Sequence, residues 1–255
     1  MSDELPSELA DNLAAYRTSA AVAEYSVYRL YPGEEYLFSK YYRAGQSVLD
    51  LACGLGRTTL LLYEIGLIVR GIDRSDVFIE IARQRLPYLD LRVGSFDWIE
   101  EPDSSFNHVL ISNNGIDYAF PFAQRLAALR ECARTLKPGG TLIYSSHNLK
   151  SLHWFSPYYR NRLWWRLRNS ASAFKKWGYI YEGGLHTFYG SAESVVCQTE
   201  EVGLKFVEMK GFSKLGDGRL DKYFSPYIHY VFTKPDHVGR AGQGNSPDCC
   251  RTRAR

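Results

Sequence analysis

The sequence predicts a doubly wound α/β fold built on a parallel sheet. Three observations carry that expectation. Short apolar runs alternate with helix-length amphipathic stretches between Ser47 and Ser146. The first run, "VLDLACGLGR", enters a turn that holds Gly54 and Gly56. The second run closes on an acid, Asp73, 23 positions after Asp50. In a sheet of this kind ligands bind at the carboxyl ends of the strands.

The elements follow in order. Residues 1–45 read as a helical cap rich in tyrosine, and "YPGEEYLF" opens a helix with Pro32, Glu34 and Glu35 in its first turn. "SVLDLA" is a buried strand, too short for a helix, and "RTTLLLYEIG" a helix that stops at Gly66. "LIVRGID" is the second strand, and Ser75 is a plausible cap for the helix "RSDVFIEIARQRL". "LDLRVG" and "HVLISNNG" are the third and fourth strands. A helix beginning at Pro121 places Leu126, Leu129, Ala133 and Leu136 on one face, and "GTLIYSS" is the fifth strand. Beyond Ser146 the alternation stops. A helix, "SAESVVCQTEEVG", then leads to the strands "LKFVEMKG" and "YIHYVFTKP", and the tail 235–255 reads as disordered.

Composition narrows the function classes. Hydrophobic residues are 45% and charged residues 23% of the chain, as in an ordinary globular protein. A net charge of +3 gives no global nucleic-acid signal. No apolar run reaches the roughly 18 residues that span a bilayer, and the acidic start carries no signal core, so a cytoplasmic protein is expected. Five cysteines without CxxC or zinc spacing read as reduced thiols, and no metal is expected.

The turn after the first strand brings the backbone close to a ligand and offers the free N–H groups of a helix start. It is not the dinucleotide fingerprint, because Thr59 stands where a third glycine or alanine is needed. Asp73 sits where a carboxylate meets the ribose hydroxyls of a nucleoside; its other reading is a helix cap.

With these residues the chain resembles the class I S-adenosylmethionine-dependent methyltransferases, over roughly Val48 to Ser146 and more weakly to Lys234. "VLDLACGLGR" is similar to that family's Asp-Leu-Gly-Cys-Gly-x-Gly motif, matched by Asp50, Cys53, Gly54 and Gly56, with Ala52 in place of the first glycine. "GID" with Asp73 resembles the ribose motif, and "LKPGGTLIYS" the approach to strand five. The resemblance implies a mostly parallel seven-stranded sheet with an antiparallel last strand, and S-adenosyl-L-methionine as cofactor. The implied cofactor set is Asp50, Ala52, Cys53, Gly54, Gly56, Asp73, Arg74, Asn113, Asn114 and Tyr28. Ser95 occupies the position of the usual adenine acid, so Asp97 is assigned to the adenine amino group and Phe96 to its face. Tyr16, Tyr25 and Tyr28 offer aromatic faces to a sulfonium or pack as a cap.

The acceptor side is expected after strands four and five, where Asn113, Asn114, Asp117 and Tyr118 stand in "SNNGIDY" and His147 in "SSHN". His147, then His186 and Tyr118, are the candidate catalytic residues; His108 and His229 fall inside strands and read as structural. Asn113-Asn114-Gly115-Ile116 replaces the Asn/Asp-Pro-Pro-Tyr of amino-methylating relatives. The stretch 148–190 reads as a lid-like insertion. From Lys150 to Tyr181 it has no acid, and Arg160, Arg162, Arg166, Arg168, Lys175 and Lys176 interleave with Trp154, Trp164, Trp165 and Trp177. A packed lid, a clamp for an anionic acceptor, a membrane-surface helix and an RNA stripe all fit that pattern. The resulting expectation is methyl transfer to oxygen or nitrogen of a small molecule by the domain 46–234. RNA or protein methylation, or a non-catalytic binding protein on the same fold, are the alternatives.

Overall fold

The computed structural model describes Thr18, Val22 and residues 26–151, 177–182, 185–212 and 222–236. Tyr16, Tyr25, the tryptophan- and arginine-rich run 152–176 and the tail from 237 lie outside the described residues.

Helix α1 (Pro32–Tyr41) precedes strand β1 (Ser47–Leu51), followed by α2 (Arg57–Glu64), β2 (Ile68–Asp73), α3 (Asp76–Arg85), β3 (Asp90–Val93), β4 (Phe106–Ile111), α4 (Phe122–Thr135) and β5 (Leu136–His147). A hairpin of β6 (Trp177–Glu182) and β7 (Leu185–Gly190), then α5 (Ala192–Glu200), β8 (Lys205–Gly211) and β9 (Tyr227–Thr233) complete it. The main sheet has seven strands in the order β3-β2-β1-β4-β5-β9-β8. All pairs through β5 are parallel, and β9 runs antiparallel to both β5 and β8. The order reverses direction between β1 and β4, which opens the crevice a ligand uses.

Strand alternation divides the core into two layers. Leu49, Leu51, Val109, Ile111, Leu142, Tyr144, Tyr230 and Phe232 face one layer, with Leu129 and Cys132 of α4, Phe188 of the hairpin and Val195 of α5. Val48, Val69, Leu110, Ile143 and Val231 face the other, with Leu37 and Phe38 of α1 and Leu62 of α2. Near-continuous apolar strands are what a sheet covered on both faces requires. Among the described residues no helix is long and apolar enough to cross a membrane.

Leu126, Leu129, Ala133 and Leu136 pack against one core, as expected, although Leu136 already belongs to β5. The fully buried face of α4 extends further, over Arg125, Ala128, Leu129, Cys132 and Thr135. The Arg125 guanidinium lies inside, on Asp117 and the face of Phe188. The described end of the insertion is a β-hairpin, which was not anticipated from the sequence, with Trp177 stacked on Phe122 at 4.2 Å. His108, as expected, is structural: its ring nitrogens meet Thr141 Oγ1 at 2.6 Å and Gln46 Oε1 at 2.9 Å.

The "LKPGG" segment produces a register shift. Phe106 pairs with Leu136, yet His108 pairs with Thr141. A Cβ on Gly140 would lie 2.7 Å from the Asn107 carbonyl oxygen and 2.8 Å from that of Lys137, both backbone. Gly140→Ala is therefore expected to lower stability by about 1–3 kcal/mol, read as a reduced urea midpoint with an unchanged m-value; an unchanged midpoint would contradict it.

Candidate active site

A cavity of about 490 Å³ opens over the carboxyl ends of the strands, within the usual size range for small-molecule sites. Its wall takes residues from across the sheet: Phe96 after β3, Asp73 from β2, Ala52, Cys53 and Gly54 after β1, Asn113 and Asn114 after β4, His147 from β5 and Tyr227 from β9. Arg74, Tyr118, Ser112, Arg57, Tyr31 and Phe212 also contribute.

The turn after β1 is built from left-handed backbone. Ala52, Gly54 and Gly56 have φ of 54°, 57° and 84°. For Ala52 this conformation costs about 1–2 kcal/mol that glycine would not incur. A matching gap receives its methyl group: a Cβ on Gly115 would stand 2.7 Å from Ala52 Cβ. The turn is held to β2 by Cys53 N–H donating to the Ile72 carbonyl. Gly54 N–H donates to Asp73 Oδ2 and Ser75 N–H to Oδ1, both at 2.8 Å. Burial raises the Asp73 carboxyl above its usual range against those donors. Ser75 caps α3 by accepting from Phe78 N–H, so Asp73 is not the N-cap. Each of its oxygens retains acceptor capacity for a hydroxyl.

After β4 the chain makes two successive left-handed residues, Asn113 (φ 48°) and Asn114 (φ 60°), a conformation asparagine tolerates better than most side chains. Asn114 Oδ1 is buried without a hydrogen-bond partner. A short 3₁₀ turn, Gly115–Tyr118, then buries Asp117 completely. Asp117 Oδ1 accepts from Arg125 Nη1 and Ser146 Oγ, and Oδ2 from the His147 backbone N–H and Nδ1, all at 2.7 Å. With Nδ1 committed, His147 Nε2 is its remaining ring nitrogen, and it has no partner among the described residues.

A second buried pair flanks the turn. Arg57 donates to both carboxylate oxygens of Glu34 at 2.7 Å and also to Ser112 Oγ. Burial alone would raise the Glu34 carboxyl, but the hydrogen bond and charge of Arg57 hold it below the usual range. Glu34 belongs to α1, so this pair fastens the N-terminal helix to the first turn of α2.

Several expected residues lie off the cavity wall. Asp50 is fully buried and accepts from the Thr58 and Thr59 hydroxyls at 2.7 Å, bracing the turn from beneath. Gly56 is the left-handed N-cap of α2. Tyr28 donates its hydroxyl to the Leu55 carbonyl at 3.1 Å. Asp97, expected at the adenine amino group, lies off the cavity wall and accepts from Arg74, Ser95 and Gln124, while Phe96 stands at the wall beneath the Arg74 guanidinium. His186, the second catalytic candidate, lies off the cavity wall on the hairpin, with its ring stacked on Phe120 at 4.2 Å. Arg57, Ser112, Tyr31, Phe212 and Tyr227 are wall residues that no sequence motif announced.

Residues 48–140 match the methyltransferase-domain family. Over these residues the chain resembles the class I S-adenosylmethionine-dependent methyltransferases. Among relatives, it is 31% identical over 105 residues to a probable S-adenosylmethionine-dependent methyltransferase of Mycolicibacterium smegmatis, covering 41% of this chain and 39% of that one. It is 29% identical over 185 residues to the demethylmenaquinone methyltransferase of Bacillus licheniformis, covering 66% of this chain and 75% of the relative. A solved S-adenosylmethionine-dependent methyltransferase from Methanosarcina mazei superimposes with a TM-score of 0.63 at 17% identity, over 82% of this chain and 99% of that one. This chain thus spans about two-fifths of the mycobacterial relative's length.

The cofactor of the methyltransferase domain is S-adenosyl-L-methionine, and the residues present suit it. Asp73 offers acceptors for a ribose diol, Phe96 a face for a base, and the buried, unpartnered Asn114 Oδ1 an acceptor for an N–H donor.

Asp50 also gives the domain a measurable pH response. Burial lifts its carboxyl from 3.8 to about 6, against hydrogen bonds from Thr59 and Thr58. Through that interval the folded protein holds a proton the unfolded chain has released, so this stabilisation is complete below pH 3.8 and lost as pH rises through 6. Relative to the wild type, Asp50→Asn should gain about 2 kcal/mol between pH 4 and pH 7, measured by urea unfolding. A pH-independent difference would rule this out.

Proposed function

We propose that this protein transfers the methyl group of S-adenosylmethionine to an oxygen or nitrogen of a small molecule. One observation carries the reading: His147, held from behind by the buried Asp117, lines the same cavity as the glycine turn and Asp73. The cofactor supplies an electrophilic methyl group on a sulfonium, and the protein's task is alignment and proton removal. Asp73 and the turn hold the nucleoside end. Asp117 fixes the His147 ring by accepting from Nδ1, which presents Nε2 as the base, in the arrangement that orients histidine in hydrolytic triads. Arg125, itself fully buried, balances the Asp117 charge. A small acceptor suits a cavity of this size. The Bacillus licheniformis relative, named for demethylmenaquinone, supports the same choice.

Calorimetric titration with S-adenosylmethionine and S-adenosylhomocysteine should show micromolar binding of both. Asp73→Ala should weaken each by about 10- to 100-fold, the loss of charge-assisted hydrogen bonds; unchanged affinity would remove Asp73 from the ribose. With methyl-labelled cofactor and a library of small hydroxyl and amine compounds, label should reach at least one compound. His147→Asn should cut that transfer by about 10²- to 10⁴-fold and leave cofactor affinity within a factor of about two. Equal transfer by the variant would exclude His147 as the base.

A further inference from the structure

The cavity wall changes chemistry along the sheet. Over β3, β2 and β1 it presents Phe96, the Asp73 carboxylate and the glycine turn. Over β5, β9 and β8 it is aromatic. Tyr118 meets the His147 ring edge-on at 6.5 Å, His147 meets Tyr227 at 5.0 Å, Tyr227 meets Phe212 at 5.8 Å, and Phe212 meets Tyr31 at 4.7 Å. All five line the cavity. They form a continuous belt of rings with the His147 imidazole inside it.

The charges on this wall are as telling as the rings. Asp73, at the nucleoside end, is the sole carboxylate among the described residues of the lining. Asp117 is fully buried and already accepts four hydrogen bonds. An aliphatic amine arrives as an ammonium ion and finds no carboxylate in the aromatic half. A planar ring finds edges and faces to pack against. A hydroxyl on that ring also matches the base. A phenol ionises near 10, whereas an aliphatic hydroxyl resembles water at about 15.7, so a phenol yields its proton to a neighbouring base far more readily.

We propose that the acceptor is a planar aromatic ring bearing a hydroxyl, methylated on that oxygen; this rests on the methyl-transfer reading above. His147 Nε2 takes the hydroxyl proton as the oxygen lone pair forms the bond to the methyl carbon. The carbon–sulfur bond breaks with its electrons passing to sulfur. An aryl methyl ether and S-adenosylhomocysteine result, and the imidazolium returns its proton to water.

The test begins with the full-length protein saturated with S-adenosylhomocysteine, titrated calorimetrically with phenol, catechol, 2-naphthol, cyclohexanol and cyclohexylamine. At least one aromatic hydroxyl should bind saturably, and about threefold to tenfold more tightly than either cyclohexyl compound. Phe212→Ala should weaken that binding by a similar factor and leave S-adenosylhomocysteine affinity unchanged. With methyl-labelled cofactor, the label should appear as an aryl methyl ether. Preferential binding of cyclohexylamine, no binding of any phenol to cofactor-competent protein, or label on carbon or nitrogen overturns the aromatic-hydroxyl assignment alone. Failure to bind S-adenosylhomocysteine at all overturns the methyl-transfer reading beneath it.

Discussion

The His147 end of the cavity depends on one buried carboxylate. Asp117 has no exposure and accepts four hydrogen bonds, from a helix arginine, a strand serine and both the backbone and ring of His147. It thereby joins the turn after β4 to α4 and to the end of β5. Burying such an ion pair gives little net stability, and removing one partner costs several kcal/mol because the other charge is stranded. What the arrangement provides is geometry. The ring that faces the cavity is held from behind, and α4 carries Arg125 inside to meet the same carboxylate.

A second pair, Glu34 with Arg57, braces the glycine-turn end of the cavity as Asp117 braces the His147 end. Its carboxylate comes from α1, before the sheet begins, and its guanidinium from the first turn of α2. Arg57 also reaches Ser112 at the end of β4 and lies under the Tyr31 ring. The N-terminal helix is thus part of the cavity's construction. Between the two pairs, the strand order arranges the wall, from a carboxylate for hydroxyls at β2 to aromatic rings at β9.

Much of the fold was legible because local signals agreed with the global answer. Apolar runs ending in glycine, Ser75 before a helix and Pro32 at a helix start each reappear in place. The hairpin was missed although its signal was present: the glycine pair at 183 and 184 divides two runs of alternating aromatics. The charged and aromatic residues around it drew attention to the composition instead. The burial of Arg125 was not legible, because an arginine reads as a solvent residue unless its buried partner is known. The surroundings of Asp97 were hidden for a related reason: sequence spacing cannot show that Arg74 and Gln124 hold its carboxylate. Tyr227 and Phe212 reach the wall only through the antiparallel return of β9 beside β5, a long-range pairing without a local mark.

The fit between Ala52 and Gly115 has a historical consequence. Two backbone segments, one after β1 and one after β4, share space for a single methyl group, and here the first of them holds it. The two positions are therefore not independent variables. A side chain at 115 becomes admissible only after the one at 52 has been removed, whereas the loss of the methyl at 52 creates no clash and also relieves a left-handed alanine. Of the two orders in which these residues could be exchanged, one passes through a collision at the cofactor turn and the other does not, so the route between the two forms of this motif has a direction.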